Sequence, residues 1–328
     1  MFIRVILLSL ILMVFGCTPD EGDKEVVSLA PNSSANRIYI LNEGNYNWNN
    51  ASVSVIDLEQ KTVFNQQFEA ANGYVIGDVL QSAIVSDSSL FFSVNNSGKI
   101  IETDFSLNEI QTTTVHSPRY LAEQGGSIYS SNIYKNEIDV INKLNGQLEP
   151  GIQTTGWTEY LRVDHIRLFA AAKNPNGIWK ITLQDQSSQF IPLPDSLSIT
   201  GLAFRESNLL VGTDDGIYEY TSSNELIRVL ENVKTFRFSY NEATQSCYWL
   251  DSGINQYHLI DSTQSVVISK NWNNAYGLGI DENGVRAVVC DAKDYQQKGS
   301  VLVYNLENQT LESEFEVGVI PQFVLFKP

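Results

Sequence analysis

A strand–turn–strand phrase recurs along this chain and constrains its fold more than any other feature of the sequence. The first copy, RIYILNEGNYNWNNASVSVID, begins at residue 37, and shorter copies begin at residues 90, 128, 168, 209, 247 and 287. From the second copy on, the spacing stays close to 40 residues. Each copy shows apolar alternation, a turn rich in Gly, Asn and Asp, and renewed alternation, which together indicate two strands joined by a turn.

Two further strand patterns accompany the phrase. The later copies are preceded by a short strand such as LQSAIV or TGLAFR, and copies are followed by a weaker outer strand such as TVFNQQF or SVVIS. The first copy lacks the preceding strand, but the missing pattern, IPQFVLF, occurs at residues 320–326. We therefore predict an all-β, seven-bladed β-propeller over residues 37–328, closed by a C-terminal strand that joins the first blade. An open solenoid or a β-sandwich does not explain why this strand lies at the opposite terminus.

The N-terminal residues predict processing and a lipid anchor. Arg4 is the only charge in residues 1–16, and the apolar run 5–16 is too short for a membrane span but suits a signal peptide. The run ends VFGC, which resembles a bacterial lipobox and makes Cys17 the expected lipidated residue; the alternative is an ordinary cleavage site beside a chance cysteine. Residues 17–36 are predicted to be a flexible acidic tether, resembling the export tag of surface lipoproteins or simply a solvated linker.

Charge and cysteine usage narrow the possible partners. The chain carries a net charge of −17, which becomes −18 without Arg4. This charge disfavours nucleic acid and anionic lipid, so no nucleic acid and no membrane contact beyond the lipid anchor are expected. Alignment of two repeats places Cys247 and Cys290 about three strand positions apart on neighbouring units, too far for a disulfide. Both are therefore predicted to be buried thiols.

The predicted blades allow the loops to be sorted by face. With strands A to D counted outward from the centre, the B–C and D–A loops lie on one face, which we call the aromatic face. The B–C loops contain Tyr46, Trp48, Tyr134 and Tyr295, and the D–A loops contain Tyr74, Tyr120, Trp157, Tyr160, Trp272 and Tyr276. Turns of the opposite face are short, polar and almost free of aromatics. The remaining tryptophans, Trp179 and Trp249, lie in strands and are predicted to be packing residues.

The loops of the aromatic face are also rich in asparagine, with five in residues 42–50. Turn chemistry explains many of these asparagines but not the aromatic residues beside them. Aromatic rings supply apolar contact and amides supply paired donors and acceptors, so this face is predicted to bind a ligand or a protein partner. The predicted ligand-binding residues are Asn45, Tyr46, Trp48, Asn49, Tyr74, Asn96, Arg119, Tyr120, Tyr134, Trp157, Tyr160, Asn174, Trp272, Asn273, Tyr276, Tyr295 and Gln322.

Catalytic motifs are absent from the sequence. His116, His165 and His258 fall on different parts of the predicted fold, and there is no CxxC, HExxH or phosphate-binding glycine loop. We predict no catalytic residue, no metal and no cofactor. The candidate face carries the carboxylates Glu43, Asp78, Glu159, Asp214, Asp215, Asp251, Asp291 and Asp294, which leave a calcium site as an alternative. They also predict a face that is acidic on balance and unsuited to an anionic siderophore.

Several phrases carry a family resemblance. YILNEGN, SVSVID, VNNSGKI, PRYL and VGVIP resemble the YncE-like propellers, and the Asn-Glu-Gly phrase at 42–44 resembles a branch that includes the BtuG-type corrinoid-capturing surface lipoproteins. This resemblance implies an outer-membrane protein, lipid-anchored and facing the exterior. It would bind cobalamin and pass it to a TonB-dependent transporter. The alternatives are capture of a siderophore or a glycan, a protein-interaction or adhesion module, and a calcium-dependent hydrolase.

Overall fold

The seven predicted four-stranded sheets are present in a computed structural model of the chain, which describes residues 28–30 and 36–327. The chain begins with β1 (Arg37–Asn42), β2 (Ser52–Asp57) and β3 (Thr62–Phe64), followed by the helix α1 (Gln67–Asn72). Blade 2 contains β4 (Leu80–Ser86), β5 (Ser89–Val94), β6 (Lys99–Asp104) and β7 (Glu109–Thr114), and blade 3 contains β8 (Pro118–Gln124), β9 (Ser127–Asn132), β10 (Glu137–Asn142) and β11 (Leu148–Gln153).

The remaining blades repeat this arrangement. Blade 4 contains β12 (Trp157–Val163), β13 (Arg167–Lys173), β14 (Gly177–Thr182) and β15 (Ser188–Pro192), and blade 5 contains β16 (Ile199–Arg205), β17 (Asn208–Thr213), β18 (Gly216–Tyr220) and β19 (Leu226–Glu231). Blade 6 contains β20 (Phe236–Asn241), β21 (Ser246–Leu250), β22 (Ile254–His258) and β23 (Thr263–Ile268), and blade 7 contains β24 (Ala275–Ile280), β25 (Arg286–Asp291), β26 (Lys298–Asn305) and β27 (Thr310–Val319). The last strand is β28 (Pro321–Phe326).

The C-terminal strand closes the ring, as predicted. Blade 1 has the strand order β28-β1-β2-β3, and β28 pairs antiparallel with β1. The first strands of adjacent blades contact one another around the centre, and β28 contacts both β24 and β4. The chain is therefore a closed seven-bladed β-propeller in which the C-terminal strand provides the innermost strand of blade 1.

The hydrophobic core lies between the blades. Seven clusters of buried residues occur in the described part of the chain, one at each interface between neighbouring blades. Successive side chains of a strand point to opposite faces, so each strand serves two interfaces. In β1, Ile38 and Ile40 pack against blade 7, whereas Tyr39 and Leu41 pack against blade 2. This double burial explains why the strand reads as a continuous apolar run.

The predicted roles of the cysteines and of two tryptophans are confirmed. Cys247 and Cys290 are buried and unpaired, and they lie at different interfaces. Burial raises the pKa of the Cys290 thiol to about 12. Trp249 is buried in the cluster between blades 5 and 6, and the Trp179 ring packs against the Phe190 ring at a centroid distance of 5.0 Å.

Two local features differ from the prediction. The expected outer strand TVFNQQF ends at Phe64, and its last two residues enter α1, which is too short to leave a helical period in the sequence. Ser28–Ala30, part of the predicted flexible tether, lie against this helix. The buried Gln67 side chain accepts from the Ala30 amide at 2.8 Å and donates to the Ser28 carbonyl at 3.0 Å. These two bonds dock Ser28–Ala30 onto the propeller.

The predicted signal peptide 1–16, the lipidated Cys17 and most of the tether lie outside the described residues. In the part of the chain that the structure describes, no helix has the length and apolar character that a membrane span requires.

Candidate functional site

Each blade carries a β-bulge near the start of its innermost strand. In blade 2 the ladder passes from Leu80 directly to Ser82, so Gln81 has no partner on β5. In blade 3 both Arg119 and Tyr120 are skipped in the same way. A bulge kinks a strand and re-aims the side chains of its unpaired residues. The repetition of this irregularity in all seven blades therefore builds a feature around the propeller axis.

The residues skipped by the seven bulges form one set, which we call the bulge ring. They are Gln81, Arg119, Tyr120, Glu159, Tyr160, Thr200, Arg237, Phe238, Tyr276 and Gln322. All ten line one of two cavities of the central channel. Only Phe238 lacks a polar side-chain group, so the bulges concentrate hydrogen-bonding groups at the centre of an otherwise apolar fold.

The two cavities follow each other along the channel. The mouth cavity, about 260 Å³, includes Glu43 and Lys173 at the edges of B–C loops and therefore opens on the aromatic face. The deeper cavity, about 230 Å³, is lined by later residues of the inner strands. Four residues line both cavities and form the waist between them: Tyr120, Tyr160, Arg237 and Gln322.

An ion pair occupies one side of the mouth. Arg119 Nε donates to Glu159 Oε2 at 3.0 Å, and Arg119 Nη1 donates to Gln81 Oε1. Burial by itself would lower the pKa of Arg119, but the Glu159 carboxylate outweighs burial and raises it. Three members of the bulge ring from consecutive blades are therefore bonded to one another, and the charge of Arg119 is neutralised.

Arg237 lies on the other side of the mouth. Its guanidinium carbon lies 5.1 Å from the centroid of the Phe236 ring and 4.6 Å from that of Tyr276, distances typical of cation–π contacts. The ring of Tyr276 in turn meets Tyr295 edge-to-face at 5.5 Å. Asn45 completes this wall, since its side-chain amide donates to the Tyr295 carbonyl at 2.7 Å. The B–C loops of blades 1 and 7 are thus connected to the channel mouth.

The channel lining is basic, in contrast to the acidic balance predicted for the face as a whole. Four cations, Arg119, Arg162, Lys173 and Arg237, line the two cavities, against two anions, Glu43 and Glu159. Two of the other predicted carboxylates, Asp78 and Asp291, hold loops through hydrogen bonds instead. Asp78 Oδ2 accepts from the Asn47 amide and from Asn96 Nδ2, and Asp291 accepts from the backbone of residues 273, 274 and 293. Neither Asp78 nor Asp291 lines the two channel cavities.

The fold of this chain recurs in solved structures of low sequence identity. A quinonprotein alcohol dehydrogenase-like protein from Bacteroides thetaiotaomicron aligns with a TM-score of 0.72 and 13% identity, over 90% of this chain and 79% of that one. Apo AztD from Citrobacter koseri aligns with a TM-score of 0.61 and 12% identity, over 90% and 99% of the two chains. The computationally designed Ika8 protein gives 0.58 and 15%, over 92% and 94%.

These likenesses show the propeller fold alone. No protein-family model matches the chain, and no curated protein sequence matches it. The chemistry of the site must therefore be argued from its own residues.

Exposed aromatic side chains lie on loops of the aromatic face, the face on which the mouth cavity opens. Tyr46, Trp48 and Tyr134 are 67%, 69% and 71% exposed. All three lie on B–C loops, as predicted: two between β1 and β2, and one between β9 and β10. The Tyr134 ring rests edge-on against His116 at a centroid distance of 5.8 Å. Large rings that remain exposed on one face are candidates for contact with a ligand.

The predicted asparagines divide into two groups. Asn45 and Asn96 use their side-chain amides to hold loops. Asn45 donates to the Tyr295 carbonyl, and Asn96 donates to the Asp78 carboxylate. Asn49, Asn174 and Asn273 are exposed, and their side chains make no hydrogen bond with the described residues. Turn chemistry thus accounts for the first group, and the second group keeps donors and acceptors available at the rim.

Five predicted site residues lie in inner strands rather than in D–A loops. They are Arg119, Tyr120, Trp157, Tyr160 and Tyr276. The bulges make these strand starts irregular in sequence pattern, so they read as loop. Apart from Trp157, they line the mouth cavity, together with Gln322. Trp157 lies beside the mouth, where the Lys173 ammonium is 5.9 Å from its ring and its buried Nε1 has no partner.

Three predicted ligand-binding residues serve the fold. Trp272 packs in the cluster between blades 6 and 7, and its Nε1 donates to the Tyr304 hydroxyl at 3.3 Å. Tyr74 lies away from the mouth, because its hydroxyl donates to Glu109 on the outermost strand of blade 2. The Gln322 side-chain nitrogen donates to two backbone carbonyls of β4. These residues lie on the predicted face, but neighbouring side chains or strands already engage them.

Sequence reasoning missed Gln81, Lys173 and Arg237 as site residues. Arg237 stands in TFRFSY, which reads as a strand with polar residues on one side. An innermost strand has one side toward the channel, so this alternation could have identified Arg237. Among the described residues, no group of three or more His, Cys, Asp or Glu is placed to hold a metal ion.

Proposed function

We propose that the aromatic face captures a corrinoid, cobalamin, without performing chemistry on it. The observation that carries the proposal is the set of exposed rings Tyr46, Trp48 and Tyr134 on the face where the mouth cavity opens. A corrinoid has a partly apolar ring edged with amide side chains. Exposed aromatics and the free amides of Asn49 and Asn273 would complement these two features.

The size of the mouth sets how such a ligand would lie. A cavity of about 260 Å³ is smaller than drug-sized sites generally are, about 300–1,000 Å³, and a whole corrinoid is larger than a drug. The corrin ring would therefore rest across the mouth, on the B–C loops, and only a side group would enter the channel. The loop between β1 and β2 would contribute most, because it carries both Tyr46 and Trp48.

The cellular role is proposed from the N-terminal sequence and the family resemblance. A signal peptide ending before a lipidated Cys17 would place the propeller on the outer membrane, facing the exterior. There it would pass cobalamin to a TonB-dependent transporter. Neighbouring genes for such a receptor and a corrinoid-responsive regulatory element would support this role.

Calorimetry with cyanocobalamin tests the binding step directly. The soluble form should begin at Ser28, because Gln67 holds Ser28 and Ala30. Saturable binding at micromolar concentrations is expected, and its absence would refute the proposal. Trp48→Ala should weaken binding, whereas Leu144→Ala should not, since that exposed leucine lies in the β10–β11 turn on the opposite face.

The basic channel favours a second candidate among the alternatives. Capture of an anionic nutrient such as a ferric siderophore requires a basic pocket, and cations outnumber anions in the lining by four to two. Competition between cyanocobalamin and a ferric siderophore for the soluble form separates the two ligands. No comparable observation favours adhesion or a calcium-dependent hydrolase.

A further inference from the structure

Two arginines of the central channel form no ion pair with any described residue. Arg162 lines the deeper cavity, and its Nη1 donates to its own neighbour, the Leu161 carbonyl, at 2.8 Å. Arg237 lies at the waist, makes no hydrogen bond with the described residues, and has a buried, unpartnered Nε. Arg162 is exposed, whereas Arg237 is partly buried. Enclosing a guanidinium such as that of Arg237 without a bonded anion is unfavourable, because the cation loses water and gains no partner.

The geometry of Arg237 leaves its donors available. The cation–π contacts with Phe236 and Tyr276 use none of the guanidinium N–H groups as conventional hydrogen-bond donors, and no described residue accepts from them. The residue is also held at φ +57°, a left-handed conformation that a bulky side chain rarely adopts. Strained residues of this kind cluster at functional sites. The backbone thus accepts strain at the position that places an unpaired guanidinium at the waist.

The neighbours of the two arginines are mainly hydrogen-bond donors. The rings of Tyr120 and Tyr160 lie 4.5 Å apart at the waist, and both phenols are within electrostatic range of Arg162 and of Arg237. Burial raises the pKa of Tyr120 far above its ordinary value, so its hydroxyl remains a proton donor. Arg237 and the two phenols at the waist, with Arg162 in the adjoining deeper cavity, suit an acceptor with several oxygens.

The two carboxylates of the lining do not cancel this charge. Glu159 is already neutralised by Arg119 at 3.0 Å. Glu43 lines the mouth cavity but makes no ion pair with any described residue, and it lowers the net positive charge there without bonding Arg237. The deeper cavity has Arg162 and Arg237 in its lining and no carboxylate at all among its described residues.

We propose that the waist and the deeper cavity bind an oxyanion, either a phosphate or a carboxylate group, through Arg237 and Arg162. The proposal rests on the proposed function in one respect, since it assigns an anionic group to the ligand captured above the mouth. The oxyanion has two possible sources: a side group of the captured ligand, such as the phosphodiester of cobalamin, or a separate small anion. Both use the same donors.

Inorganic phosphate is the first probe, with the soluble form beginning at Ser28 and sodium chloride holding the ionic strength constant. Saturable broadening of the phosphorus-31 resonance is expected. Arg237→Gln and Arg162→Gln should each raise the dissociation constant by about tenfold or more, since each removes a charge-assisted donor. Glu43→Gln should lower it. Arg228→Gln is the matched control, because that arginine lies on an exposed outer strand of blade 5.

The outcomes separate the two proposals. No saturation by phosphate, or equal dissociation constants for Arg237→Gln, Arg162→Gln and Arg228→Gln, would overturn the oxyanion site even if cyanocobalamin binds. Phosphate binding without cyanocobalamin binding would refute the proposed function and leave the oxyanion site standing. Arg237→Lys, which keeps the charge, should retain part of the affinity and guards against misfolding of Arg237→Gln.

A second arm identifies the source of the oxyanion. Dicyanocobinamide lacks the nucleotide and its phosphodiester. If Arg237→Gln weakens binding of cyanocobalamin but not of dicyanocobinamide, the phosphodiester occupies the waist. If neither corrinoid is affected but phosphate binding is lost, the site takes a separate anion.

Discussion

The side-chain amide of Gln322 donates to the main-chain carbonyl of Gln81 at 2.7 Å, across the junction where the ring closes. The same nitrogen donates to the Leu80 carbonyl at 2.8 Å. Both glutamines are bulge residues, one on the C-terminal strand and one on the first strand of blade 2. Residues 241 positions apart are thus connected in the buried centre of the propeller, where the closing strand must be held in place.

Gln322→Leu should destabilise the fold. The substitution retains volume but leaves the carbonyls of Leu80 and Gln81 without their donor in a site that is 3% exposed. Unsatisfied buried acceptors cost about 1–3 kcal/mol each, so we expect a loss of about 2–4 kcal/mol in the free energy of unfolding. Urea denaturation measures it. Gln60→Leu, in the exposed β2–β3 turn, should be neutral; equal losses for both variants would contradict the proposed closure role.

The architecture could be predicted because its determinants are local and repeated. Alternation, turn residues and a period near 40 each recur in every copy, and the lone pattern at 320–326 has its pairing partner only in the first copy. β1 is buried on both faces, which explains why its uninterrupted apolar run still indicates a strand. Helix α1 was not predicted, because six residues are too few to show a helical period in the sequence.

The site was only partly predictable, because it depends on the bulges. A bulge skips one or two residues of the ladder without a distinct sequence signal, so Tyr120 and Tyr160 read as loop residues. The pairing of Arg119 with Glu159 joins two blades and depends on their packing. The exposed rim of Tyr46 and Trp48 could be placed, because a long loop between two clear strands has one possible face.

Trp272→Ala should lower the free energy of unfolding, whether or not it also affects ligand binding. The indole packs between blades 6 and 7 and bonds to Tyr304, so truncation removes buried contacts as well as a hydrogen bond. Large-to-small changes in cores cost about 3–5 kcal/mol for tryptophan, and a half-buried ring should cost about 2 kcal/mol. Thermal and urea unfolding provide the measurement. Unchanged stability would return Trp272 to the candidate ligand contacts.

Trp48→Ala should show the opposite behaviour. The ring is 69% exposed, and no described side chain stacks on it, so stability should change by less than about 0.5 kcal/mol. Binding of cyanocobalamin should weaken by about 1–2 kcal/mol, the range of an interface aromatic. Calorimetry and unfolding of the same preparation separate the two effects. A binding constant unchanged within error would mean that the loop between β1 and β2 does not contact the ligand.

The Ser28–Ala30 segment should contribute to stability. A form that begins at Asn36 loses the partners of Gln67 at 2.8 and 3.0 Å and uncovers the cluster against which Ala30 packs. Each hydrogen bond contributes about 1 kcal/mol, so the shorter form should be about 2 kcal/mol less stable than one beginning at Ser28. Gln67→Ala in the longer form should remove most of this difference. Equal stability of the two forms would mean that the segment does not stay docked in solution.

The carboxyl of Glu43 should make stability depend on pH. Burial raises its pKa in the folded state, although Arg237 and Arg119 act to lower it. Because the folded-state pKa exceeds the unfolded value of about 4.3, ionised Glu43 destabilises the fold at pH above the folded pKa. That cost disappears as the pH falls below the unfolded pKa. Glu43→Gln should therefore stabilise the protein at pH 7 but not at pH 4, as measured by urea unfolding at both values.

Glu314→Gln, on the outermost strand of blade 7, is the control and should show no such difference between the two pH values. If the stability gained by Glu43→Gln persists at pH 4, packing rather than charge is responsible.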